Sequence, residues 1–165
     1  MYRHITCLLI VALFAGCTPK TITPEQKTKE EKAIGALVTE FWKSYGSKNW
    51  AAMNKLSSAS GDFVCFGTDS SRATQAPWQA SGYERASTPA AQGEFDNLTI
   101  QFLDGAGELA SVFCELKVDM TMGGKLYHAV ARYAAVTKIE NGEWHILRSL
   151  ASFPNAPLLI EQKPI

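Results

Sequence analysis

The side chains of this chain whose types could carry chemistry are few and dispersed: Cys17, Cys65, Asp69, Cys114, His128, Arg132 and Arg148. None stands with another at the spacing of a specific catalytic motif. His128 is of the type that exchanges a proton near neutral pH. Asp69 is a carboxylate without an evident partner of separated acidity, which is thin ground for acid–base chemistry. Arg132 is of the type that holds negative charge developing in a transition state. These three are the catalytic candidates, although a lone His on a mixed strand more often serves as a hydrogen-bonded structural group. Neither Cys65 nor Cys114 has a close His or Cys neighbour, so no metal site and no cofactor is expected. Each lies in an apolar run, Phe63-Val64-Cys65-Phe66 and Val112-Phe113-Cys114, that suits a buried free thiol. A disulfide between them would close a long loop, but nothing in the sequence brings the two together. His145 is expected to be exposed.

Cys17 points to a different chemistry. Arg3 gives a positive start, Leu8-Leu9-Ile10-Val11-Ala12-Leu13-Phe14 is apolar, and the small residues Ala15-Gly16 precede the cysteine. This order resembles a bacterial lipoprotein signal peptide, with Phe14 in a place more often held by Leu or Val. The resemblance implies that residues 1–16 are removed and that Cys17 becomes the acylated first residue. Residues 17–24 are then the lipidated cysteine and its tether. Several acyl chains would hold the protein to a membrane, since each buried methylene contributes ~0.8 kcal/mol. Thr18, rather than an Asp, follows the cysteine, which implies attachment to the outer membrane, facing the periplasm, of a Gram-negative cell. The apolar stretch from Ile5 to Gly16 is itself too short for a transmembrane helix, which needs ~20 apolar residues.

With 46% hydrophobic and 19% charged residues, the remainder is expected to form one globular domain over 25–156, followed by a C-terminal tail, 157–165. Sixteen basic and sixteen acidic side chains leave no net charge and no basic stripe, which argues against nucleic acid as a partner. Thr23-Pro24-Glu25-Gln26 predicts a helix start, with Thr as cap, Pro in the first turn and Gln three after the cap. Ile34, Leu37, Val38, Phe41, Trp42 and Tyr45 follow at helical spacing, and Gly46 ends the run. Asn49 predicts the cap of a shorter helix through Trp50, Met53 and Leu56. Phe63 to Phe66 reads as a buried strand. Residues 70–93 carry little periodicity beyond a helical turn or two near Trp78 and Tyr83. Four strand-like runs complete the chain: Phe95 to Leu103, Leu109 to Met122, Lys125 to Ile139 and Glu143 to Phe153. The turns between them predict an antiparallel meander, Asn141-Gly142 being the strongest hairpin signal. Ala110, Val112, Cys114, Leu116, Val118 and Met120 share one face of their strand, opposite Glu115, Lys117 and Asp119. Neither face of the next strand is plainly polar, which suggests a second covered face and a homodimer through it.

This order of elements resembles the nuclear-transport-factor-2-like superfamily, an α+β fold in which a cone-shaped, curved antiparallel sheet packs against two or three N-terminal helices. Phe66-Gly67-Thr68-Asp69, Ala131-Arg132-Tyr133 and Gly142-Glu143-Trp144-His145-Ile146 resemble segments of its SnoaL-like branch. Leu150-Ala151-Ser152-Phe153-Pro154 stands where many relatives carry His-x-Ser-x-Pro, and a leucine cannot shuttle the proton that a histidine would. The resemblance covers about residues 30–154. It implies a pocket between the concave sheet face and the helices, used by cyclases, isomerases and dehydratases and in other members for binding alone. Strand phase sets Trp144, Ile146, Arg148, Leu150 and Ser152 on one face. The implied pocket would thus gather Arg132, Arg148 and Ser152 with Trp42 and Tyr45, under a lid bearing Trp78 and Tyr83. Two guanidiniums would suit a carboxylate or phosphate-bearing ligand; alternatively, Arg132 pairs with a local carboxylate such as Asp69 and Arg148 reaches solvent. The expected function is a membrane-anchored lipoprotein that binds a small hydrophobic or anionic molecule without chemistry. The alternatives are an isomerase, cyclase or hydrolase using Asp69 or His128 with Arg132, and an interaction module whose pocket is filled.

Overall fold

The computed structural model describes residues 21–60, 64–66, 72–73, 94–122, 125–156 and 158–160. The leader, Cys17, Asp69, Trp78 and Tyr83 lie outside these residues. Helix α1 (Pro24–Gly46) begins with the expected capping box: the Thr23 hydroxyl accepts from the Gln26 N–H, and the Gln26 side chain accepts from the Thr23 N–H at 3.0 Å. Both bonds satisfy backbone donors that a helix start leaves without an internal partner. The helix ends at Gly46, as expected. Gly46 stays helical, and the left-handed residue is Lys48, with φ 57°. Helix α2 (Trp50–Leu56) follows at once, its Asn49 cap accepting from the Ala52 N–H at 3.1 Å.

The strands are β1 (Val64–Phe66), β2 (Arg72–Ala73), β3 (Glu94–Phe102), β4 (Leu109–Met122), β5 (Lys125–Glu140), β6 (Glu143–Ser152) and β7 (Leu158–Leu159). They form one sheet in the order β2-β1-β6-β5-β4-β3, with β7 beside β5. The meander from β3 to β6 is antiparallel as expected, whereas β1 joins β6 in parallel. Within the stretch read as aperiodic, Arg72–Ala73 pairs with β1. The first residues of the expected tail also enter the sheet, since Leu158 and Leu159 pair with His128 and Tyr127. Cys65 of β1 and Cys114 of β4 are separated by β6 and β5, a span of three strand spacings of ~4.8 Å, too far for a disulfide. Cys114 is a buried free thiol.

One face of the sheet carries the core. Ile34, Leu37, Val38, Phe41 and Trp42 of α1 and Met53 of α2 cluster with Val112, Leu116 and Val118 of β4. They also meet Ala129, Ala131, Tyr133 and Ala135 of β5, where the run of alanines leaves depth for the rings of the helix. Fully burying a Leu, Ile or Phe contributes about 1.5–3 kcal/mol, so this one layer is the main source of stability. Two local features fix how the sheet presents its residues. At β5–β6, Thr137 pairs with Ile146 and Val136 pairs with Arg148, so Leu147 is an extra residue, a β-bulge. At the same end of the sheet, the Ile22 N–H donates to the Gly105 carbonyl at 2.9 Å. There Gly107 has φ 72°, and a Cβ on it would meet Ile22 Cδ1 at 2.4 Å, so only glycine fits where the chain enters the domain.

Candidate functional site

The residues expected to form one pocket fall on two sides of the sheet. On the core side, α1 presents Phe41, Trp42 and Tyr45 in its last turns. Tyr133 rises to meet them from β5, and Trp50 starts α2 beside Tyr45. The rings touch in sequence: Trp42 lies edge-on to Tyr133 at 5.2 Å and to Tyr45 at 5.5 Å, and Tyr45 lies edge-on to Trp50 at 6.3 Å. Phe41 stacks on Tyr133 at 6.5 Å. Trp42 is only 8% exposed, yet its indole Nε1 has no hydrogen-bond partner among the described residues, and neither has the buried hydroxyl of Ser44. A buried donor left in this state costs about 1–3 kcal/mol, so a site rich in rings retains polar atoms that a ligand can satisfy. By contrast, the other core tryptophan, Trp144, donates from Nε1 to Glu30 at 2.7 Å and closes the far end of the helix onto the sheet.

The buried, core-facing positions of β4, β5 and β6 among the described residues carry no carboxylate, imidazole, amine or guanidinium. Their titratable groups are Tyr133 and Cys114, and burial pushes the Cys114 thiol up to about 11, which keeps it protonated and unreactive at neutral pH.

His128 and Arg132 are on the opposite, outer face. Ala129, Ala131, Tyr133, Ala135 and Thr137 are the buried set on β5, which turns the even-numbered residues outward. There His128 Nδ1 lies 2.8 Å from Asp119 Oδ1, and Arg132 Nε lies 3.7 Å from Glu115 Oε1. The local carboxylate beside Arg132 is therefore Glu115. Both pairs are exposed enough that each contributes little to stability.

Arg148, Leu150 and Ser152 are outward too, which corrects the expectation that they share a face with Trp144 and Ile146. The extra Leu147 shifts the phase of β6 by one, so Trp144 and Ile146 point into the core, as do Ser149 and Ala151 beyond the bulge. Arg132 and Ser152 do come together, as register partners, but in an outer groove of about 300 Å³ with Asn97, Phe113, Glu115, Ala134 and Leu150. Trp42 and Tyr45 are on the other side of the sheet. His145, expected to be exposed, is half-buried, with Nδ1 unbonded among the described residues. Sequence reasoning missed Trp50 and Tyr133 as members of the ring line, and Phe113 and Glu115 as groove residues.

A family model described as a SnoaL-like domain matches residues 34–156. No curated protein matches the sequence. Among solved structures, hexachlorocyclohexane dehydrochlorinase LinA-type3 from Novosphingobium barchaimii superposes with a TM-score of 0.68 at 12% identity, over 87% of this chain and 100% of that one. The LinA Type2 dehydrochlorinase gives 0.68 at 13% identity, over 86% and 98%. The CaMKII hub of S. rosetta gives 0.60 at 16% identity, over 74% and 95%. At these identities the likeness is one of fold.

Proposed function

The chain belongs to the SnoaL-like domain family, and from that premise we propose that it is a lipid-anchored periplasmic protein whose domain takes up a small, largely apolar molecule on the core side of the sheet. It holds that molecule without converting it, and it self-associates through the outer face. The observation that carries the reading is the line of rings from Trp50 through Tyr45 and Trp42 to Tyr133, with the indole Nε1 of Trp42 buried and unbonded among the described residues. Apolar rings supply the binding area, and one or two buried polar atoms fix orientation. A dehydrochlorination, the reaction for which the Novosphingobium neighbour is named, needs a base beside the substrate. His128, one of the two expected bases, and Arg132, the expected charge-holding group, face the other way, and Asp69, the other expected base, lies outside the described residues. The same placement removes the guanidiniums from the core side and turns the ligand expectation from anionic to apolar.

The anchor rests on the order Arg3, apolar run, Ala15-Gly16-Cys17. Thr18 after the cysteine supports the outer membrane as the destination. Among the described residues no helix is long and apolar enough to cross a membrane.

Native mass spectrometry of the full chain, extracted from membranes in detergent, tests the binding function. The expected spectrum contains a non-covalent adduct of low mass whose occupancy falls on Trp42→Ala. A bare chain, or an adduct indifferent to that substitution, refutes it. Metabolic labelling with palmitate tests the anchor: the label is expected on the wild type and absent from Cys17→Ala, and a labelled Cys17→Ala chain refutes the assignment.

A further inference from the structure

Two bulges, one on each flank of β4 and β5, bring side chains onto the outer face and build the groove there. In β3, Asp96 pairs with Glu115 and Thr99 with Phe113, so Asn97 and Leu98 together oppose the single residue Cys114. Leu98 turns to the helix side, where its Cδ2 would lie 3.4 Å from a Cβ at Gly35, while Asn97 lines the groove. Asn97 holds φ 56°, a left-handed conformation that costs free energy in any residue but glycine and is best tolerated by Asn. In β6, the extra Leu147 sets Leu150 and Ser152 outward. The register then lays out two rows. Asn97, Glu115, Arg132 and Ser152 cross β3, β4, β5 and β6 in a polar row, and Phe113, Ala134 and Leu150 form an apolar row beside it. Phe113 is 52% exposed and Leu150 48%, unusual for large apolar groups, and the small Ala134 leaves the space between them.

The polar row is loosely held and its two halves differ in sign. Glu115 Oε1 is 3.7 Å from Arg132 Nε, and Glu115 Oε2 is 3.5 Å from the Asn97 amide, both at or beyond the limit of a hydrogen bond. The Glu115 carboxylate keeps lone pairs to offer, and the Arg132 guanidinium keeps the four N–H donors of its fork. The geometry points to a free apolar α-amino acid as the ligand of this groove. Its carboxylate sits on the Arg132 fork and the Ser152 hydroxyl, and its ammonium on the Glu115 carboxylate and the Asn97 amide oxygen. Its side chain lies over Phe113, Ala134 and Leu150. A simple anion would meet the charge of Glu115 and a simple cation that of Arg132, whereas a zwitterion is attracted by both. The groove, about 300 Å³, is at the lower end of small-molecule sites, which suits one amino acid better than a long chain. This site is separate from the ring line on the core side. It lies on the face assigned to self-association, so the ligand and a second copy exclude each other there.

Ligand-observed NMR of the full chain, extracted in detergent, tests the site with three probes: leucine, the anion N-acetylleucine and the cation leucinamide. Leucine is expected to bind in the millimolar range, and each derivative at least about fivefold more weakly, because each loses one ion pair and meets one like charge. Neutralising one side of the groove should exchange the preference. Glu115→Gln removes the partner of the ammonium and the repulsion of an anion, so N-acetylleucine should bind that variant at least as well as leucine does. Arg132→Gln should do the same for leucinamide. Circular dichroism of each variant confirms folding. No binding of leucine, or an order of the three probes that neither substitution moves, overturns the site. Chains bearing two different affinity tags, coexpressed and captured on one tag, should separate as leucine saturates. Leucine that binds while captured copies stay joined lies elsewhere and overturns the groove. Copies that never associate overturn the self-association reading, and the probe series alone then decides the site.

Discussion

Replacing Trp42 by Phe and by Ala separates the worth of its ring from the burden of its N–H. The ring is buried and meets Tyr133, Tyr45 and Phe41 at 5.2, 5.5 and 6.1 Å. Trp42→Ala removes all three contacts and leaves a cavity, at a cost of about 3–5 kcal/mol. Trp42→Phe keeps a six-membered ring able to hold the same edge-on geometry. It loses the area of about two carbons, ~1.6 kcal/mol at ~0.8 kcal/mol per buried methylene, and somewhat more for the residual space. It also removes a buried donor whose orphaned state costs about 1–3 kcal/mol. The two terms oppose each other and are similar in size, so the ligand-free Phe variant should stay within about 1 kcal/mol of the parent. Urea unfolding followed by circular dichroism measures this without relying on indole fluorescence. Adduct occupancy in native mass spectrometry should nevertheless fall in the Phe variant, because the ligand loses its donor. A Phe variant as unstable as the Ala variant would mean that Nε1 is already bonded, and the orphaned donor would no longer mark a binding site.

The remaining expectations concern the frame around the site. Cys114, raised from 9.0 to about 11, should be alkylated about 100-fold more slowly than an ordinary thiol below pH 9, as read by peptide mass spectrometry, and at the ordinary rate in denaturant. Its folded pKa lies above the unfolded one, so its contribution to stability is intact below pH 9 and is lost as pH rises towards 11, a loss of about 2–3 kcal/mol in alkaline unfolding titrations. Trp144→Phe removes the 2.7 Å bond to the Glu30 carboxylate and should cost about 1.5–3 kcal/mol in urea. Gly142→Ala forces a side chain into a turn position at φ 85° and should cost about 1–2 kcal/mol, although nothing lies within 4 Å of the added methyl. Deleting Leu147 makes Arg148 follow Ile146 directly, the register that Thr137–Ile146 and Val136–Arg148 already define, so Arg148 and Leu150 should stay outward and cooperative unfolding in urea should be retained.

Helix α1 was legible because every local signal agreed: a capping box, Pro in the first turn, and a 3.6-residue apolar stripe from Ile34 to Tyr45. The placement of the candidate residues was not, for two reasons that can be named. On β5 the inward set is mostly alanine, which reads as neither core nor surface, so its phase was ambiguous taken alone. The pairing with β4 contained the answer: Met122 opposite Lys125 puts Glu115 opposite Arg132 and Asp119 opposite His128. The plainly polar face of β4 then assigns both basic residues to the outside. On β6 a period of two cannot register an inserted residue, and extrapolating from Trp144 carried Arg148, Leu150 and Ser152 to the wrong face. The adjacent apolar pair Ile146-Leu147, followed by the small Ser149 and Ala151, was the trace of the bulge.

The anchor and the proposed self-association constrain each other. Ile22 is bonded to Gly105 in the turn before β4, so the lipid proposed on Cys17, five residues upstream, would be no more than ~18 Å from that turn. With the proposed anchor, the β3–β4 turn would be the membrane-facing end, and β4 and β5 extend away from it. Trp42 lies 18 residues beyond Pro24, about 27 Å along α1, so the ring line lies at the end of the helix remote from that turn. A two-fold axis parallel to the strands leaves the Ile22 ends of both copies on the same side, where two lipids can enter one leaflet. An axis across the strands would send one anchor towards the membrane and the other away from it. Confinement of both copies to one surface, already oriented, raises their effective concentration for this contact.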